Sequence, residues 1–226
     1  MGYPIILELS DRRVLVVGAG AVATRRIERL LEEGAEVIVI SPSATKTVAG
    51  WAEAGKLVWH RRRYRPGDCQ SSYLVFAATD DVALNEQIVR DAAGCGALTN
   101  SATEAPSDFA VPSRIQRGPI QLTVDTGGGA PALSRQLRTE LEAWLSDAWS
   151  RAASMLAELR ATLEGRADSE QRQQLQRQAA AEIIGVLDAG GDVAAWLDGL
   201  SRDHGFELTA PELGEIAAAG SAAAPE

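Results

Sequence analysis

The sequence predicts an α/β protein with a mostly parallel sheet, followed by a small β-hairpin and a helical carboxyl-terminal domain. Two observations lead to this prediction. Up to residue 100, apolar segments of strand length alternate with amphipathic segments of helix length, an order typical of parallel sheets. Beyond residue 100 the apolar pattern changes, first to short alternating strands and then to helical spacing.

The first strand–helix–strand unit lies in the segment RRVLVVGAGAVATRRIERLLEEGAEVIVISP. A strand over residues 14–17 runs into a glycine-rich turn, and an amphipathic helix follows that ends at Gly34. A second strand covers residues 37–40. The unit has the length of a right-handed parallel crossover, so we expect a Rossmann-like sheet.

Further strands are expected at residues 56–60, 72–79 and 97–99. Between the last two, the segment DDVALNEQIVRDAAGCG has the pattern of a helix, with Asp80 or Asp81 at its amino-terminal cap. The first part of the chain is therefore predicted to be an open sheet with helices on its faces.

The segments DFAVPS and PIQLTVDT then predict a hairpin around a turn at residues 117–119. From Pro131, one long amphipathic helix is expected to continue to about Gly165. Its apolar stripe fits two arrangements equally well: packing on the chain's own later helices, or an interface between two copies.

Two or three shorter helices are expected next, with breaks at the glycines at positions 190, 191 and 205. The last residues have the composition of a disordered tail. The predicted domains are residues 1–112 for the Rossmann-like domain, 113–150 for the hairpin and dimerisation region, 151–215 for the helical domain and 216–226 for the tail.

The composition excludes several functional classes. A formal net charge of −9 argues against a nucleic-acid-binding protein, which normally presents a basic face. The chain has no apolar run of the roughly 18 residues typical of a membrane-spanning helix, and no basic residues precede its first apolar patch, as they would in a signal peptide. We therefore expect a cytoplasmic protein. Cys69 and Cys95 are expected to be reduced thiols that pack in the interior.

The pattern Gly18-x-Gly20-x-x-Ala23 lies between a predicted strand and a predicted helix, where a dinucleotide fingerprint belongs. Gly18 permits the tight turn, Gly20 lets the backbone approach a pyrophosphate, and Ala23 allows close packing of helix and sheet. At the end of the second strand, Ser41 stands where NAD-binding proteins usually have an acidic residue, without an obvious arginine for the 2′-phosphate of NADP. The residues alone leave the choice between NAD and NADP open.

Two other loops are candidate ligand sites. Ala78 and Thr79 end the fourth strand, at the edge where ligands bind to such sheets, although the same residues could simply cap the next helix. The loop DTGGGAPALSR, residues 125–135, leads into a helix and predicts either an anion site or a flexible connector. The arginine run HRRRYR is more typical of a solvated face than of a binding site.

Several motifs together resemble the siroheme synthase N-terminal family, whose members are precorrin-2 dehydrogenases and in some cases also sirohydrochlorin ferrochelatases. The motifs are YPIILEL, RRVLVVGAGAVATRR, AATDDVALN, DFAVPS and RGPIQLTVDTGGGAPALSRQLRTELE, in register over residues 3–145. The resemblance implies NAD-dependent oxidation of precorrin-2 to sirohydrochlorin, a step towards siroheme or cobalamin. It also implies a homodimer whose interface lies at about residues 113–150.

The resemblance implies two sets of binding residues. Those expected to bind NAD are Gly18, Gly20, Ala21, Val22, Ser41, Ala78 and Thr79. Those expected to bind the carboxylate-rich tetrapyrrole are Asn100, Arg114, Thr126, Gly127, Gly128 and Arg135.

One loop departs from the family pattern, which usually reads Asn-Val-Val-Asp and supplies an aspartate assigned to the catalysis of both reactions. Here threonine occupies the aspartate position, as Thr103. Thr103, the adjacent Glu104 and Asp125 in the second glycine loop are the candidate catalytic residues. We expect dehydrogenation to be kept and iron insertion to be weak or absent, with no metal bound by the chain. A separate chelatase could then be a partner.

Three alternatives remain at this point, and one of them is a generic NAD(P)-binding oxidoreductase that acts on another substrate. The chain could be a non-redox carrier of sirohydrochlorin, as a degenerate member of the family, or it could catalyse both dehydrogenation and iron insertion. Binding of NAD would separate the dehydrogenase from the carrier, because a carrier has no use for a nicotinamide site.

Overall fold

The computed structural model describes residues 2–103, 105–166 and 169–221. The chain divides into two compact units between Val111 and Pro112, within one residue of the predicted border of the first domain. Each unit has a hydrophobic core of its own.

The first unit contains the predicted parallel sheet. Its strands are β1 (Arg13–Val17), β2 (Glu36–Ile40), β3 (Val58–His60), β4 (Leu74–Ala77) and β5 (Leu98–Ser101). All neighbours pair in parallel, in the order β3-β2-β1-β4-β5. The α/β class with a Rossmann-like sheet is therefore confirmed, and the strand order reverses between β1 and β4.

Three helices cover the two faces of this sheet: α1 (Ala21–Glu32), α2 (Lys46–Glu53) and α3 (Val82–Gly94). Side chains alternate along each strand, so that Val14 and Val16 pack with α1 and α2, whereas Leu15 and Val17 pack with α3. The sheet is apolar on both faces, as expected for parallel strands between helices.

The sequence analysis did not predict α2. The signal for it was local: Thr45 caps the helix by accepting a hydrogen bond from the Val48 N–H at 3.3 Å. For α3 the cap is Asp81 rather than Asp80, because the Asp81 carboxylate accepts from the Leu84 N–H at 3.1 Å.

The second unit begins with the predicted hairpin, formed by β6 (Ser113–Arg117) and β7 (Ile120–Val124). The prediction of DFAVPS as its first strand is wrong, since β6 starts only at Ser113. Asp108 is held by β5 instead: its N–H donates to the Thr99 carbonyl at 2.9 Å, and its carboxylate accepts from the Thr99 N–H and hydroxyl at 2.8 and 2.7 Å.

The long helix predicted from Pro131 to Gly165 is also wrong, because it is two helices, α4 (Pro131–Trp144) and α5 (Asp147–Thr162). Leu145 is buried with ψ 80°, outside the helical range, and Ser146 is extended at φ −70° and ψ 168°. A serine followed by an acidic residue is a typical helix start, so the sequence contained the signal for this break.

Three helices complete the second unit: α6 (Ser169–Asp188), α7 (Val193–Asp203) and α8 (Ala210–Ala219). Their apolar faces meet α5 in one core that includes Met155, Leu159 and Ile183. The predicted start of a disordered tail at residue 216 is wrong, since α8 extends to Ala219 and Ile216 is 1% exposed.

Both cysteines are free thiols, but only one of them is in the interior. Cys69 is buried and lies 3.1 Å from the Tyr64 hydroxyl, which donates to the Asp91 carboxylate at 2.9 Å. Burial raises the pKa of the Cys69 thiol to about 11. Cys95 is exposed, so the expectation that it packs in the interior is wrong. No helix in the described ranges is long and apolar enough to cross a membrane.

The capping box of α8 makes the stability of the second unit sensitive to pH. Glu212 pairs with Arg166 and accepts from the Thr209 N–H at 2.8 Å, and these bonds hold the pKa of Glu212 at about 2. A folded-state pKa below that of the unfolded chain stabilises the fold above the unfolded pKa, and the effect is lost as the pH falls towards 2. We expect Glu212→Gln to lower the urea midpoint at pH 7, and the deficit to shrink between pH 5 and pH 3.

Glu215→Gln on the exposed side of the same helix is the control and should leave the urea midpoint unchanged at pH 7 and at pH 3. A deficit for Glu212→Gln that is the same at every pH would contradict the electrostatic origin.

Candidate functional site

The carboxyl edge of the parallel sheet is the candidate site. The register aligns His60, Ile40, Val17, Ala77 and Ser101 in one row across the five strands. The loops that leave this row diverge between β1 and β4, where the strand order reverses. In open α/β sheets, ligands bind in the crevice at such a point.

Gly18 is the first residue beyond this row on β1, and the fold itself requires glycine there. Its φ of +106° is a conformation that other residues rarely adopt. A Cβ at this position would lie 2.2 Å from the Ala78 carbonyl oxygen. The turn therefore brings the backbone of β1 directly against the end of β4.

Gly20 differs from Gly18, because nothing in the described chain requires glycine there. Its backbone is extended, and a Cβ would meet no atom within 4 Å. Gly20 is the N-cap of α1, which has no side-chain cap, and Ala21 and Val22 in the first turn are exposed. Amides of a first helical turn have no acceptor within the helix, so they can bind an anion. This open, uncapped turn fits a dinucleotide pyrophosphate.

Two threonines hold the glycine turn in place. The Thr45 N–H donates to the Ala19 carbonyl at 3.1 Å, and the Thr24 hydroxyl lies 2.9 Å from both the Gly20 carbonyl and the Thr45 hydroxyl. The start of α2 therefore supports the turn between β1 and α1. The sequence analysis missed this role, although the N-cap pattern at Thr45 was present in the sequence.

Ser41 lies beside the turn, directly after β2, and is buried. Its hydroxyl donates to the Ser43 carbonyl at 2.6 Å, and its own carbonyl accepts from the Trp59 indole N–H at 3.0 Å. The Arg61 guanidinium stacks over the Trp59 ring, 4.4 Å from the ring centroid. A guanidinium thus lies near Ser41, the position at which the ribose of a dinucleotide is bound in such folds.

Thr79 has a structural role that the sequence analysis missed. Its hydroxyl lies 2.7 Å from the side-chain oxygen of Asn85, which is fully buried, and the Asn85 amide donates to the Thr79 carbonyl at 3.0 Å. These bonds fix the turn between β4 and α3. Ala78 remains as the small residue that faces Gly18.

Asn100 is held by two side-chain hydrogen bonds. Its side-chain oxygen accepts from the Arg26 guanidinium, and its amide donates to the Phe109 carbonyl at 2.7 Å. Arg26 also lies over the Phe76 ring, and burial lowers the pKa of this guanidinium. Asn100 therefore joins α1, β5 and the loop after β5, whatever it contributes to substrate binding.

Thr103 lies in the loop after β5, where its hydroxyl is 2.9 Å from the Ser101 hydroxyl and its N–H donates to the same oxygen at 3.2 Å. Glu104 lies outside the described residues. A threonine hydroxyl needs an activating base before it can take a proton near neutral pH. The described part of this loop supplies hydroxyl groups, and its one carboxylate, that of Asp108, already accepts hydrogen bonds from Thr99.

The second unit contains the other predicted group of residues. Asp125 is exposed and accepts from the Gly127 N–H at 3.1 Å, and the Thr126 hydroxyl lies 2.8 Å from the Ser134 hydroxyl. Gly127 and Gly128 have φ values of +60° and +76°, and a Cβ at either would meet nothing within 4 Å. The glycine loop is thus open towards solvent at the start of α4.

Two predicted arginines belong to this second group. Arg135 is exposed on the first turns of α4, where its Nε donates to the Pro131 carbonyl at 3.3 Å. Arg114 lies on β6 opposite Thr123, half-buried. In the described ranges, no three His, Cys, Asp or Glu side chains form a group that could hold a metal ion.

A polar cavity of about 240 Å³ lies beside β2 and β3. Its lining includes Arg13, Ile40, His60 and the Arg62–Asp68 ion pair, whose nitrogen–oxygen distance is 2.7 Å. None of the predicted site residues lines it.

The contrast between the two glycines of the turn predicts different outcomes for two similar substitutions. Gly18→Ala should destabilise the protein by about 2–4 kcal/mol, through the positive φ and the clash with Ala78. Gly20→Ala should change stability by less than about 1 kcal/mol but weaken dinucleotide binding about tenfold or more, because its methyl group would occupy the space of the ligand. Urea unfolding and calorimetric titration measure the two effects. Equal binding by Gly20→Ala and the wild type would contradict this placement of the ligand.

Known proteins match the part of the chain that contains this turn and sheet. A family model described as "Putative NAD(P)-binding" matches residues 5–113. The siroheme synthase of Xylella fastidiosa (strain M12) is 37% identical over 166 residues, which are 73% of this chain and 35% of that protein. Siroheme synthase 1 of Aeromonas salmonicida (strain A449) is 35% identical over 195 residues, 85% of this chain and 42% of that protein. The matched regions thus span less than half of these relatives.

A solved structure described as "SirC, precorrin-2 dehydrogenase" has the same fold. The match has a TM-score of 0.72 at 24% identity, and it covers 83% of this chain and 100% of that one. Together with the family model and the relatives above, this match agrees with the motifs that the sequence presented. The chain belongs to the siroheme synthase N-terminal family.

Proposed function

We propose that the protein is an NAD-dependent dehydrogenase that oxidises precorrin-2 to sirohydrochlorin, in the cytoplasm, on the route to siroheme or cobalamin. The observation that carries the proposal is the open turn at Gly20, which places the uncapped start of α1 at the point of strand-order reversal. A carrier without redox chemistry would have no use for such a turn.

The contribution of the chain to this reaction is to hold two reactants in position. NAD, when bound, supplies the hydride acceptor. The amides of Ala21 and Val22 would bind its pyrophosphate, and the close contact of Gly18 with Ala78 would set the path of the dinucleotide across the sheet. Orientation of this kind can supply much of the rate acceleration when the cofactor performs the chemical step.

The second unit supports binding of a polyanionic substrate. The exposed Arg135, the exposed backbone at Gly128 and the start of α4 suit carboxylates. Arg114 supplies a further guanidinium nearby in sequence. We propose that these groups bind the carboxylates of the tetrapyrrole, and that Thr126 orients the loop through its contact with Ser134.

Removal of a proton accompanies the loss of hydride, and we propose Asp125 as the base because it is the described candidate with a carboxylate. Its carboxylate is exposed and, among the described residues, accepts a hydrogen bond from the Gly127 N–H, so it retains acceptor sites for a proton. Thr103 offers only a hydroxyl that is already bonded to Ser101. Loss of a proton to water is the alternative to Asp125.

Insertion of iron requires more of the side chains than dehydrogenation does. Two pyrrole protons must leave, and no cofactor drives the step, so the missing carboxylate at Thr103 should impair metal insertion more than oxidation. We therefore propose that ferrochelatase activity is weak or absent, and that a separate chelatase could use the product.

The proposed function is tested by two assays on the purified protein. With precorrin-2 and NAD⁺ under anaerobic conditions, we expect formation of NADH and sirohydrochlorin. With sirohydrochlorin and Fe²⁺ or Co²⁺, we expect metal insertion at the uncatalysed rate. Thr103→Asp should raise metal insertion about 10²-fold, because it restores a base, whereas Thr103→Asn, of the same size, should not.

The two halves of the proposal can fail separately. Absence of NADH, together with absence of NAD⁺ binding, would favour the carrier. Metal insertion by the wild type well above the uncatalysed rate would show a bifunctional enzyme.

We also propose that the protein is a homodimer that uses α4. Leu133, Leu137 and Trp144 fall on one stripe of this helix and are 53%, 37% and 55% exposed. Three large apolar side chains on one exposed stripe are typical of an interaction surface. Their covering by a second copy would bury this stripe in a symmetric interface.

Substitution on this stripe predicts a change of oligomeric state. We expect Leu137→Asp to shift the wild-type dimer to a monomer in sedimentation equilibrium, because it would bury a charge in the interface. Thr139→Asp, which adds the same charge on the other side of α4, should leave the dimer intact. Circular dichroism shows whether each variant is folded, and a wild-type monomer would refute the interface.

A further inference from the structure

The ribose end of the dinucleotide site lacks the feature that selects NAD against NADP. An acidic side chain at the end of the second strand normally binds the ribose 2′-hydroxyl and repels a 2′-phosphate. Here that position is Ser41, whose buried hydroxyl donates to the Ser43 carbonyl. This position therefore has no carboxylate that would repel an additional phosphate.

The structure brings a guanidinium to the same place by way of the neighbouring strand. His60 and Ile40 are paired in the last row of the sheet, and the Ser41 N–H donates to the His60 carbonyl at 3.2 Å. Ser41 and Arg61 are thus the first residues beyond the carboxyl edge on adjacent strands, which lie about 4.8 Å apart in parallel sheets.

Two contacts connect the side chain of Arg61 to Ser41. The Trp59 indole N–H donates to the Ser41 carbonyl, which places the ring beside that residue, and the Arg61 guanidinium stacks 4.4 Å from the ring centroid. Stacking on an indole holds a guanidinium in place, while the N–H groups at the edge of the guanidinium plane remain available to a ligand.

Arg61, unlike Arg62, also remains available for an anion. Arg62 forms a two-point ion pair with Asp68, at 2.7 Å for both nitrogen–oxygen contacts. Arg61 is exposed and has no acidic partner within the described ranges. The sequence analysis assigned the whole run to a solvated face, because it could not show that one member stacks beside the ribose position.

We propose that the site also binds dinucleotides with a 2′-phosphate, and that Arg61 is the residue that contacts this phosphate. The inference rests on the proposed dinucleotide site at Gly20. NADP is then accepted as well as NAD, and Arg61 determines the difference in affinity between them.

Nucleotide fragments test the proposal directly. Calorimetric titration of the full chain with 5′-AMP and with 2′,5′-ADP isolates the contribution of the 2′-phosphate, and NAD⁺ and NADP⁺ follow as complete ligands. We expect 2′,5′-ADP to bind about 10- to 100-fold more tightly than 5′-AMP, the range for hydrogen bonds to a charged group. Arg61→Ala should remove this advantage, so that 2′,5′-ADP and 5′-AMP bind the variant with about equal affinity.

Arg63→Ala is the matched control, because it removes the same charge two residues away from an exposed position. It should keep the advantage of 2′,5′-ADP. The inference is overturned if 2′,5′-ADP binds no more tightly than 5′-AMP, or if both variants lose the advantage equally. If 5′-AMP and NAD⁺ bind normally in that case, the proposed function survives; if no nucleotide binds, both fail.

Discussion

The contact between Gly18 and the carbonyl of Ala78 is the constraint on which the rest of the first unit depends. Because no Cβ separates them, the turn after β1 can pass against the end of β4 while the Gly18 N–H donates to Ile40 at 2.9 Å on the other side. The chain then enters α1 at Gly20, where the first amides of the helix have no side-chain cap. One residue without a side chain thus fixes both the packing of three strands and the position of the candidate anion site.

The predictable part of the fold was the part that local patterns determine. The first strand–helix–strand unit followed from its glycines and apolar periodicity, and α3 from its acidic cap. The errors occurred where a nonlocal bond or a weak local signal decided the structure. Asp108 binds Thr99 instead of extending the hairpin, and Ser146 starts a new helix within an apolar stripe that looks continuous. The helix α2 has a short apolar face with Val48 as its buried residue, which periodicity detects poorly.

The candidate site was predictable to a similar extent. The glycine fingerprint identified the turn. Thr45, which supports the turn, lies at the start of α2, and Arg61, at the proposed ribose end, follows β3. No spacing in the sequence relates Arg61 to Ser41, because their proximity depends on the register of β2 and β3. The same is true of Asn100, whose side chain is held by Arg26 from α1 and by the Phe109 carbonyl.

On the proposed function, the chain combines an intact dinucleotide-binding turn with an altered catalytic loop, and the chemistry of the two proposed reactions explains how both can persist. A dehydrogenase obtains its driving force from the cofactor, so a protein that orients the ring and the nicotinamide keeps most of the rate without a strong base. A chelatase has no such cofactor and must remove two protons with side chains. On the proposed function, replacement of the aspartate by Thr103 would therefore impair metal insertion selectively. Thr103 lies in a loop held by the bonds of Ser101, Asn100 and Asp108, whereas the proposed dinucleotide turn follows β1.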